Sequence, residues 1–244
     1  MNGIRAVSTR GFGKWFAELN PDFLCLQETK AQDSQIPRET MRDDRFLYLN
    51  SAQRKGYGGI AVLAPKKPLK ITRDIDFARF DSEGRFLRLD YPNFVLINVY
   101  MPHGDRTKKN LAYKLEAYRY LLSYLEKIKK QPVVLIGDFN VAREDIDLAR
   151  PQNNRNNVMF TPDEKKQLNK LLELGFIDSF RKFHPEERQY TWWPYFAHAR
   201  ERNIGWRIDY AFVSRNLEEQ IHNTFILGDV LGSDHCPIGI ELKV

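Results

Sequence analysis

The sequence has little of what marks a secreted or membrane-spanning protein. Its 244 residues include only two cysteines, Cys25 and Cys236, far apart in the chain. Two such cysteines do not form a disulfide framework, and they suit a reducing compartment. No apolar run approaches the roughly 20 residues of a membrane span, and the first residues do not resemble a secretory signal. We therefore expect a cytoplasmic protein with no membrane partner.

Two common signatures of metal and phosphate binding are also missing. No spacing of cysteine and histidine predicts a zinc site. The glycine-rich stretch 56–59 follows Arg54 and Lys55, but the Lys-Ser/Thr ending of a P-loop does not follow it. Zinc fingers and P-loop nucleotide hydrolysis are thus excluded as explanations of the chain.

The charge balance favours a polyanionic partner. Lysine and arginine number 38 against 32 aspartates and glutamates, which gives a net charge of +6. Because many basic proteins bind no nucleic acid, the charge supports such a partner without identifying it.

Short apolar runs alternate with longer amphipathic segments, which predicts a layered α/β or α+β fold. Repeats, low-complexity stretches and linkers are lacking, so we expect one domain over residues 1–244. Thr161, Pro162, Glu164 and Gly175 carry the start and stop signals of one helix. Stripes of apolar residues predict two more helices, from Phe12 to Leu19 and from Leu111 to Leu125. The predicted strands are Phe23–Leu26, Ile60–Leu63, Phe94–Val99, Val133–Ile136 and Ile208–Val213.

Polar residues follow several of these strands. Each alone has an ordinary explanation, such as a helix cap, an Asx turn or a packed histidine. Ligands and catalytic groups nevertheless concentrate beyond strand ends, on loops that a rigid sheet holds. Together these residues offer oxygen ligands with few nitrogens and no thiolates, which favours a hard cation such as Mg²⁺ or Mn²⁺. They are Glu28, Tyr100, Asp138, Asn140, Asp234 and His235.

Four sequence motifs, in this order along the chain, resemble the exonuclease III and abasic (AP) endonuclease family of the endonuclease/exonuclease/phosphatase superfamily. They are Leu26-Gln27-Glu28-Thr29-Lys30, Gly137-Asp138-Phe139-Asn140-Val141-Ala142, Trp206-Arg207-Ile208-Asp209-Tyr210 and Ser233-Asp234-His235-Cys236-Pro237. Shorter matches lie between them, so the resemblance covers nearly the whole chain.

The resemblance implies a four-layer α/β sandwich, with two mixed β-sheets packed face to face and helices outside. It also implies a first strand ending in Trp-Asn-Val-Asn-Gly. Here Met1 stands in place of the valine and Asn2 is the second asparagine, so the first strand is expected to be truncated. Loss of that strand would expose a sheet edge.

The resemblance also assigns chemistry to the residues after the strands. A Mg²⁺ ion, for which Mn²⁺ can substitute, would be held by Glu28 with Asp234, Asp138, Asn140 and Asn2 nearby. Asp138 would orient or deprotonate the attacking water, and Asn140 would hold the phosphate or the water. His235, partnered by Asp209, would act as a base or as an electrostatic clamp. Tyr100 would donate to the phosphate or to the water.

Further positions match the family's contacts with DNA, although ordinary loop or core roles would also explain them. Asn154 and Asn157 would contact phosphates, and Arg106 lies near an insertion loop. Trp192, Trp206 and Ile208 would form a pocket for a flipped-out abasic sugar. The remaining predicted contacts are Arg54 and Lys55, with His103 where the family usually has Asn or Gln and Met159 where it has a very small residue.

The resemblance therefore implies a monomeric, Mg²⁺-dependent nuclease acting on double-stranded DNA with abasic sites or damaged or recessed 3′ ends. It would cut 5′ to abasic sites and act as a 3′-5′ exonuclease and 3′-phosphatase. One alternative is a related phosphodiesterase for lipid, inositol phosphate or RNA substrates, which would generally lack Trp206–Tyr210 and the asparagine-rich 150–160 loop. The other is a catalytically weak DNA-binding module, which Mg²⁺-dependent cleavage would rule out.

Overall fold

Strand β3 (Ile60–Ala64) is buried along its whole length, so other parts of the chain must cover both of its faces. Successive side chains of a strand point to opposite faces. Ile60, Val62 and Ala64 enter one apolar cluster, whereas Ala61 and Leu63 enter another. The computed structural model, which describes residues 1–37 and 44–243, accordingly has a layer on each side of this strand.

Strands and helices are interspersed along the chain, as expected for a layered α/β or α+β fold. The further strands are β1 (Leu24–Gln27), β2 (Phe46–Asn50), β4 (Lys70–Thr72), β5 (Phe86–Asp90), β6 (Val95–Tyr100), β7 (Val133–Asp138), β8 (Phe176–Asp178), β9 (Asp209–Ser214), β10 (Ile221–Ile226) and β11 (Ile238–Leu242). The α-helices are α1 (Ile4–Ser8), α2 (Phe12–Leu19), α3 (Ala78–Ser82), α4 (Leu111–Ile128), α5 (Pro151–Asn154), α6 (Pro162–Glu173) and α7 (Ser179–Phe183). Short 3₁₀ turns occupy Asp33–Gln35, Asp145–Asp147 and Arg215–Gln220.

Six strands form a mixed sheet in the order β4-β5-β6-β7-β9-β8. β6 and β7 run parallel, and the other neighbours are antiparallel. The second β layer consists of two antiparallel pieces, β1-β3-β2 and β10-β11. The inner faces of the two layers share one apolar cluster, which includes Val62, Leu89, Leu96 and Val134.

Helices cover the outer faces of both β layers. Leu121 and Leu125 of α4 and Leu168 of α6 pack on the six-stranded sheet. Phe12 and Phe16 of α2 pack with Leu63 of β3 on the other side. The chain therefore has the predicted order of helix, sheet, sheet and helix. None of the helices in the described part of the chain is long and apolar enough to cross a membrane.

Helix α6 begins and ends where its sequence predicts. The Thr161 hydroxyl accepts a hydrogen bond from the Glu164 amide at 3.3 Å, and the Glu164 carboxylate accepts one from the Thr161 amide at 3.0 Å. Pro162 is the first helical residue. Gly175 follows the helix with φ +93°, a backbone conformation that favours glycine. The predicted capping box and glycine stop are both confirmed.

Asn98 links the two β layers through polar contacts inside the core. Its side-chain amide donates to the carbonyl oxygens of Leu26 in β1 (3.1 Å) and Ala61 in β3 (2.9 Å). Its carbonyl oxygen accepts from the Gln27 side chain at 2.7 Å. Asn98 is fully buried, so these bonds satisfy groups that water cannot reach.

A groove of about 460 Å³ runs along the open edges of β1 and β11, over Val134 and Ile136 of β7. Among the described strands, β1 pairs only with β3, and β11 pairs only with β10. Both cysteines are free; Cys25 lines this groove, and Cys236 is buried beside it.

Candidate active site

Three of the predicted catalytic residues lie side by side at the ends of adjacent strands. In the sheet register, Tyr100 at the end of β6 is opposite Asp138 at the end of β7. Asp138 is in turn opposite Asp209 at the start of β9. All three side chains are at most 9% exposed. The pairing of the strands therefore brings together a phenol and two carboxylates.

Gly137 allows the close approach of β6 and β7 at this point. A Cβ atom at position 137 would lie 1.9 Å from the Val99 carbonyl oxygen, far inside contact distance. Glycine is therefore required immediately before Asp138.

Asn140 is bound tightly to Asp138. Its backbone amide donates to Asp138 Oδ1 at 2.8 Å, and its side-chain amide donates to Asp138 Oδ2 at 3.2 Å and to the Met101 carbonyl at 2.8 Å. The backbone of Asn140 has φ +53°. Left-handed backbone at a non-glycine residue costs free energy and concentrates at functional sites.

His235 closes the group from the loop before β11. Its Nδ1 atom lies 2.9 Å from Asp209 Oδ2, and its Nε2 atom lies 4.0 Å from Asp138 Oδ2. Burial alone lowers the pKa of His235, but the charge and hydrogen bond of Asp209 outweigh it and raise that pKa to about 9. At neutral pH His235 is therefore an imidazolium whose Nε2–H faces Asp138.

The environment of Asp138, in contrast, favours the neutral form of its side chain. Burial, followed by the negative charge of Asp209, raises the pKa of Asp138 to about 7, although His235 and the Asn140 amide act to lower it. A carboxylate with a pKa near 7 is suited to exchange protons at neutral pH.

Tyr100 is oriented by the side chains packed around its ring. The Arg85 guanidinium lies 4.5 Å from the centre of the ring, and Arg85 also donates to the Tyr100 carbonyl at 3.0 Å. Burial and the Glu28 carboxylate hold the pKa of Tyr100 well above its usual value. The phenol therefore keeps its proton and remains a hydrogen-bond donor.

Glu28 follows β1 and has φ +59°. The Lys30 ammonium lies 3.1 Å from Glu28 Oε1 and donates to Asn2 Oδ1 at 2.6 Å. The structure thus brings two predicted metal ligands, Glu28 and Asn2, around the same lysine.

Asp234 is held by two aromatic side chains. Trp192 Nε1 donates to Asp234 Oδ2 at 3.1 Å, and the Tyr195 hydroxyl lies 3.4 Å from Oδ1. Burial alone raises the pKa of Asp234, but the neighbouring His235 and the Trp192 indole lower it below its usual value. Asp234 is therefore ionised at neutral pH.

The residues predicted to form a sugar pocket lie in one apolar cluster. Met159 and Ile208 are buried within it, and Trp192 and Trp206 pack against it half-buried. Met159 is 3% exposed and has φ +73°. At this site its side chain is a packed part of the cluster and leaves little surface open.

The remaining predicted contacts lie outside this cluster, in loops and at the end of α5. The Arg106 guanidinium lies 5.6 Å from the Phe196 ring, and the Asn157 side chain donates to that of Asn154 at 3.0 Å. His103, Arg54 and Lys55 are exposed. Arg106, Asn154 and Asn157 already have partners within the chain, whereas Lys55 has no contact that relates it to the strand-end group.

The donor set suits a hard cation. Within residues 1–37 and 44–243, one group of acidic, histidine or cysteine ligands gathers its ligand atoms within 4.8 Å, and it consists of Asp138, Asp209 and His235. Two neighbouring buried carboxylates favour an oxygen-preferring cation. Of the predicted metal ligands, this group contains Asp138; Glu28 and Asp234 lie outside it.

Sequence reasoning missed four residues that contact the predicted site. Lys30 could have been found, because it belongs to the same sequence motif as Glu28. The contact of Tyr195 with Asp234 depends on how a loop folds, so the sequence gave no signal for it. Phe196 is 59% exposed beside Arg106, and buried Lys114 donates to the Asn140 carbonyl at 2.6 Å. Lys114 falls on the same helical face as Ala117, Tyr118 and Leu121, so the sequence carried a signal that it is buried but none that identifies its partners.

Comparisons with known proteins identify the family and support the fold of this chain. Residues 2–235 match the sequence profile of the Endonuclease/Exonuclease/phosphatase family. An exodeoxyribonuclease of Bacillus subtilis (strain 168) is 43% identical over 247 residues, which cover 100% of this chain and 97% of the relative. The structure of an AP endonuclease from Archaeoglobus fulgidus has a TM-score of 0.90 at 32% identity, covering 100% of this chain and 96% of the other. A structure of the 3′ phosphatase NExo from Neisseria, bound to a product DNA hairpin, has a TM-score of 0.91 at 25% identity, with the same coverages.

Proposed function

This chain belongs to the exonuclease III and AP endonuclease family, within the endonuclease/exonuclease/phosphatase superfamily, and it is a DNA-repair nuclease. From that premise we propose that it hydrolyses the phosphodiester bond 5′ to abasic sites in double-stranded DNA and also removes nucleotides and phosphates from 3′ ends. We further propose that it acts as a monomer in a prokaryotic cytoplasm, where its free thiols stay reduced.

One observation carries this proposal. Tyr100, Asp138 and Asp209 lie on adjacent strand ends, and His235 faces Asp138 at 4.0 Å. A single phosphate or water oxygen can contact both Asp138 Oδ2 and His235 Nε2 at that separation. The site therefore combines a proton acceptor and a positive donor around one oxygen atom, which hydrolysis of a phosphodiester needs.

The roles of these side chains follow from their charges. Asp138, with its pKa raised to about 7, takes a proton from the attacking water as that water approaches phosphorus. Asn140 fixes the orientation of the Asp138 carboxylate. His235, kept cationic by Asp209, stabilises the negative charge that develops on the phosphate. Tyr100 keeps its proton and donates a hydrogen bond from its hydroxyl to a phosphate oxygen.

A hard cation fits the same group of residues. Asp138 belongs both to the predicted metal ligands and to the group that it forms with Asp209 and His235. The other residues that we assign to Mg²⁺ are Glu28, Asn140, Asp234 and Asn2. A bound Mg²⁺ would neutralise the phosphate and stabilise the departing 3′ oxygen, and Mn²⁺ would substitute for it. Lys30 contacts both Glu28 and Asn2, so it competes with the cation for their oxygens.

The apolar cluster beside the site supports a sugar without a base as the preferred substrate group. Trp192 and Trp206 present half-buried faces next to buried Ile208 and Met159. Turning an abasic sugar out of the helix costs little because it has no base to unstack. The polar residues that we assign to the DNA strands on either side are the half-buried Asn154 and the exposed Asn157, Arg106, His103, Arg54 and Lys55.

The experiment is a cleavage assay on matched substrates. Duplexes with an internal abasic site, a recessed 3′ end or a 3′ phosphate are compared with an intact duplex and a phosphoinositide. We expect Mg²⁺-dependent cleavage of the duplexes with an abasic site, a recessed 3′ end or a 3′ phosphate, and no activity on the phosphoinositide. Phosphoinositide hydrolysis without DNA cleavage would contradict the proposal.

A further inference from the structure

Lys114 and Glu164 form a fully buried ion pair behind the site. Both side chains are 0% exposed, and Lys114 Nζ lies 2.5 Å from Glu164 Oε1. Lys114 is on α4, and Glu164 is in the first turn of α6. Removing two charges from water is costly, and well-packed apolar side chains often replace such a pair without loss of stability. Stability alone is therefore a weak reason for this pair.

The lysine directs its other hydrogen bonds to two loops of the site. Its ammonium donates to the Asn140 carbonyl at 2.6 Å and to the His103 carbonyl at 3.4 Å. With Glu164, these contacts account for the three N–H donors of an ammonium group. Lys114 thus joins the loop after β6 to the loop after β7.

The glutamate extends the connection to a third loop. Glu164 Oε1 also accepts from the Met159 amide at 3.0 Å, while Oε2 accepts from the Thr161 amide and hydroxyl at 3.0 and 2.7 Å. Glu164 completes the capping box of α6, but capping requires only its contact with Thr161. The contacts with Met159 and Lys114 are additional.

The pair holds the chain where its backbone is strained. Asn140 has φ +53° and Met159 has φ +73°, both in the left-handed region. Such conformations persist where surrounding contacts determine them. Here one ion pair contacts the main chain of both residues, one beside Asp138 and the other in the apolar cluster.

We propose that Lys114 and Glu164 are positioning residues that fix the spacing between the phosphate side of the site, at Asn140, and the sugar side, at Met159. This inference rests on the proposed function for the meaning of those two sides. Neither residue touches the reacting atoms. Their effect passes through the Asn140 carbonyl and the Met159 amide, so their loss should loosen both loops together.

The test uses the double variant Lys114→Met/Glu164→Gln, because a single substitution would leave one charge buried and unpaired. Glutamine keeps an oxygen for the α6 cap. Its matched control is Lys182→Met/Glu218→Gln. This variant removes a half-exposed ion pair, with 2.8 Å between Lys182 Nζ and Glu218 Oε1, that belongs to neither loop. Amide hydrogen exchange, melting temperature, abasic-duplex affinity in EDTA, and kcat and KM are measured for both variants and the wild type.

We expect faster exchange in segments 139–142 and 158–161 of the double variant only. Its kcat should fall about tenfold to hundredfold, the scale of a small misplacement of reacting groups, with KM and affinity in EDTA nearly unchanged. Wild-type exchange in both segments would overturn the proposal, as would wild-type kcat. If the wild type cleaves none of the DNA substrates, the proposed function fails, and the exchange data still decide whether the pair orders the two loops.

Discussion

The Nδ1 atom of His235 lies 2.9 Å from Oδ2 of Asp209, and this contact sets the charge of the imidazole. A nearby carboxylate stabilises the protonated form and outweighs the effect of burial. The first prediction concerns that balance. His235 should titrate with a pKa of about 9 in the metal-free protein, followed by the NMR shifts of its ring.

In Asp209→Asn the strongest contribution that raises the pKa of His235 is gone, while burial and the weaker effect of Asp138 remain, so this pKa should fall. His184, a second ring whose Nδ1 contacts an acid, Glu187, serves as the internal reference in the same spectra. An unchanged titration of His235 in Asp209→Asn would assign its charge to another group.

The second prediction concerns Asp138. Asp138→Asn preserves the shape of the side chain but removes its ability to take a proton, so kcat should fall at least about a hundredfold, the usual scale for general-base catalysis. The melting temperature should not fall, because the substitution removes a buried charge beside Asp209. A rate within a few-fold of wild type would remove Asp138 from the role of base.

In Asp209→Ala and His235→Ala the two rate losses should be non-additive, because the residues act as one unit.

The third prediction concerns the cation. EDTA should abolish cleavage, and Mg²⁺ or Mn²⁺ should restore it. Glu28→Ala should raise the Mg²⁺ concentration needed for half-maximal activity while leaving affinity for an abasic duplex in EDTA nearly unchanged. The control is Glu18→Ala, which removes a surface carboxylate 67% exposed on α2. Full activity in EDTA would disprove the metal assignment.

The fourth prediction concerns the substrate range. Met159→Gly removes a packed side chain from the cluster that contains Trp206 and Ile208, and glycine suits the φ of +73° at this position. Because an internal abasic sugar needs more room than a frayed 3′ end, abasic cleavage should rise relative to 3′-phosphate removal. Met101→Leu, a substitution of similar volume elsewhere in the core, is the control. A constant ratio of the two rates would make Met159 a packing residue only.

The fifth prediction concerns stability. The buried Arg207 donates to Asp147 at 2.8 Å and to both oxygens of Asp178 at 3.1 and 2.7 Å. Arg207→Met leaves two buried carboxylates without this partner and should lower the free energy of unfolding by about 3–5 kcal/mol in urea denaturation. Lys182→Met, at the half-exposed ion pair with Glu218, should cost at most about 1 kcal/mol.

The same network predicts an acid transition. Burial alone raises the pKa of Asp147, but Arg207 and then Arg181 outweigh it, so that pKa is lowered in the folded chain. The contribution of Asp147 to stability is therefore complete above its unfolded pKa of about 4 and disappears as the pH falls further.

The sequence predicted the layers and the strand ends because both depend on local patterns. The continuous apolar run of β3 and the capping box of α6 act over a few positions, and they gave the right elements to within a residue or two. Polar residues after β6 and β7 predicted a site at that edge of the sheet. The structure adds that Tyr100, Asp138 and Asp209 are in register.

Contacts between distant loops could not be predicted in this way. The ion pair of Lys114 and Glu164 spans 50 residues, and a lysine in a helix ordinarily faces solvent. Likewise, the approach of Tyr195 to Asp234 depends on the path of a loop. Lys114 does fall on the apolar face of α4, but no periodic pattern identifies the partner in either contact.

Asn98 has a mechanical consequence for the whole sandwich. The hydrophobic effect has no preferred direction, so it does not by itself specify how one layer is aligned on the other. The hydrogen bonds from Asn98 to Leu26 and Ala61 do have a preferred direction, and a shift of one residue would break both inside a dry core. Glu28 lies two residues beyond Leu26, and Tyr100 lies two residues beyond Asn98. The alignment of these two site residues, which come from different layers, is thus held against shear by a single amide.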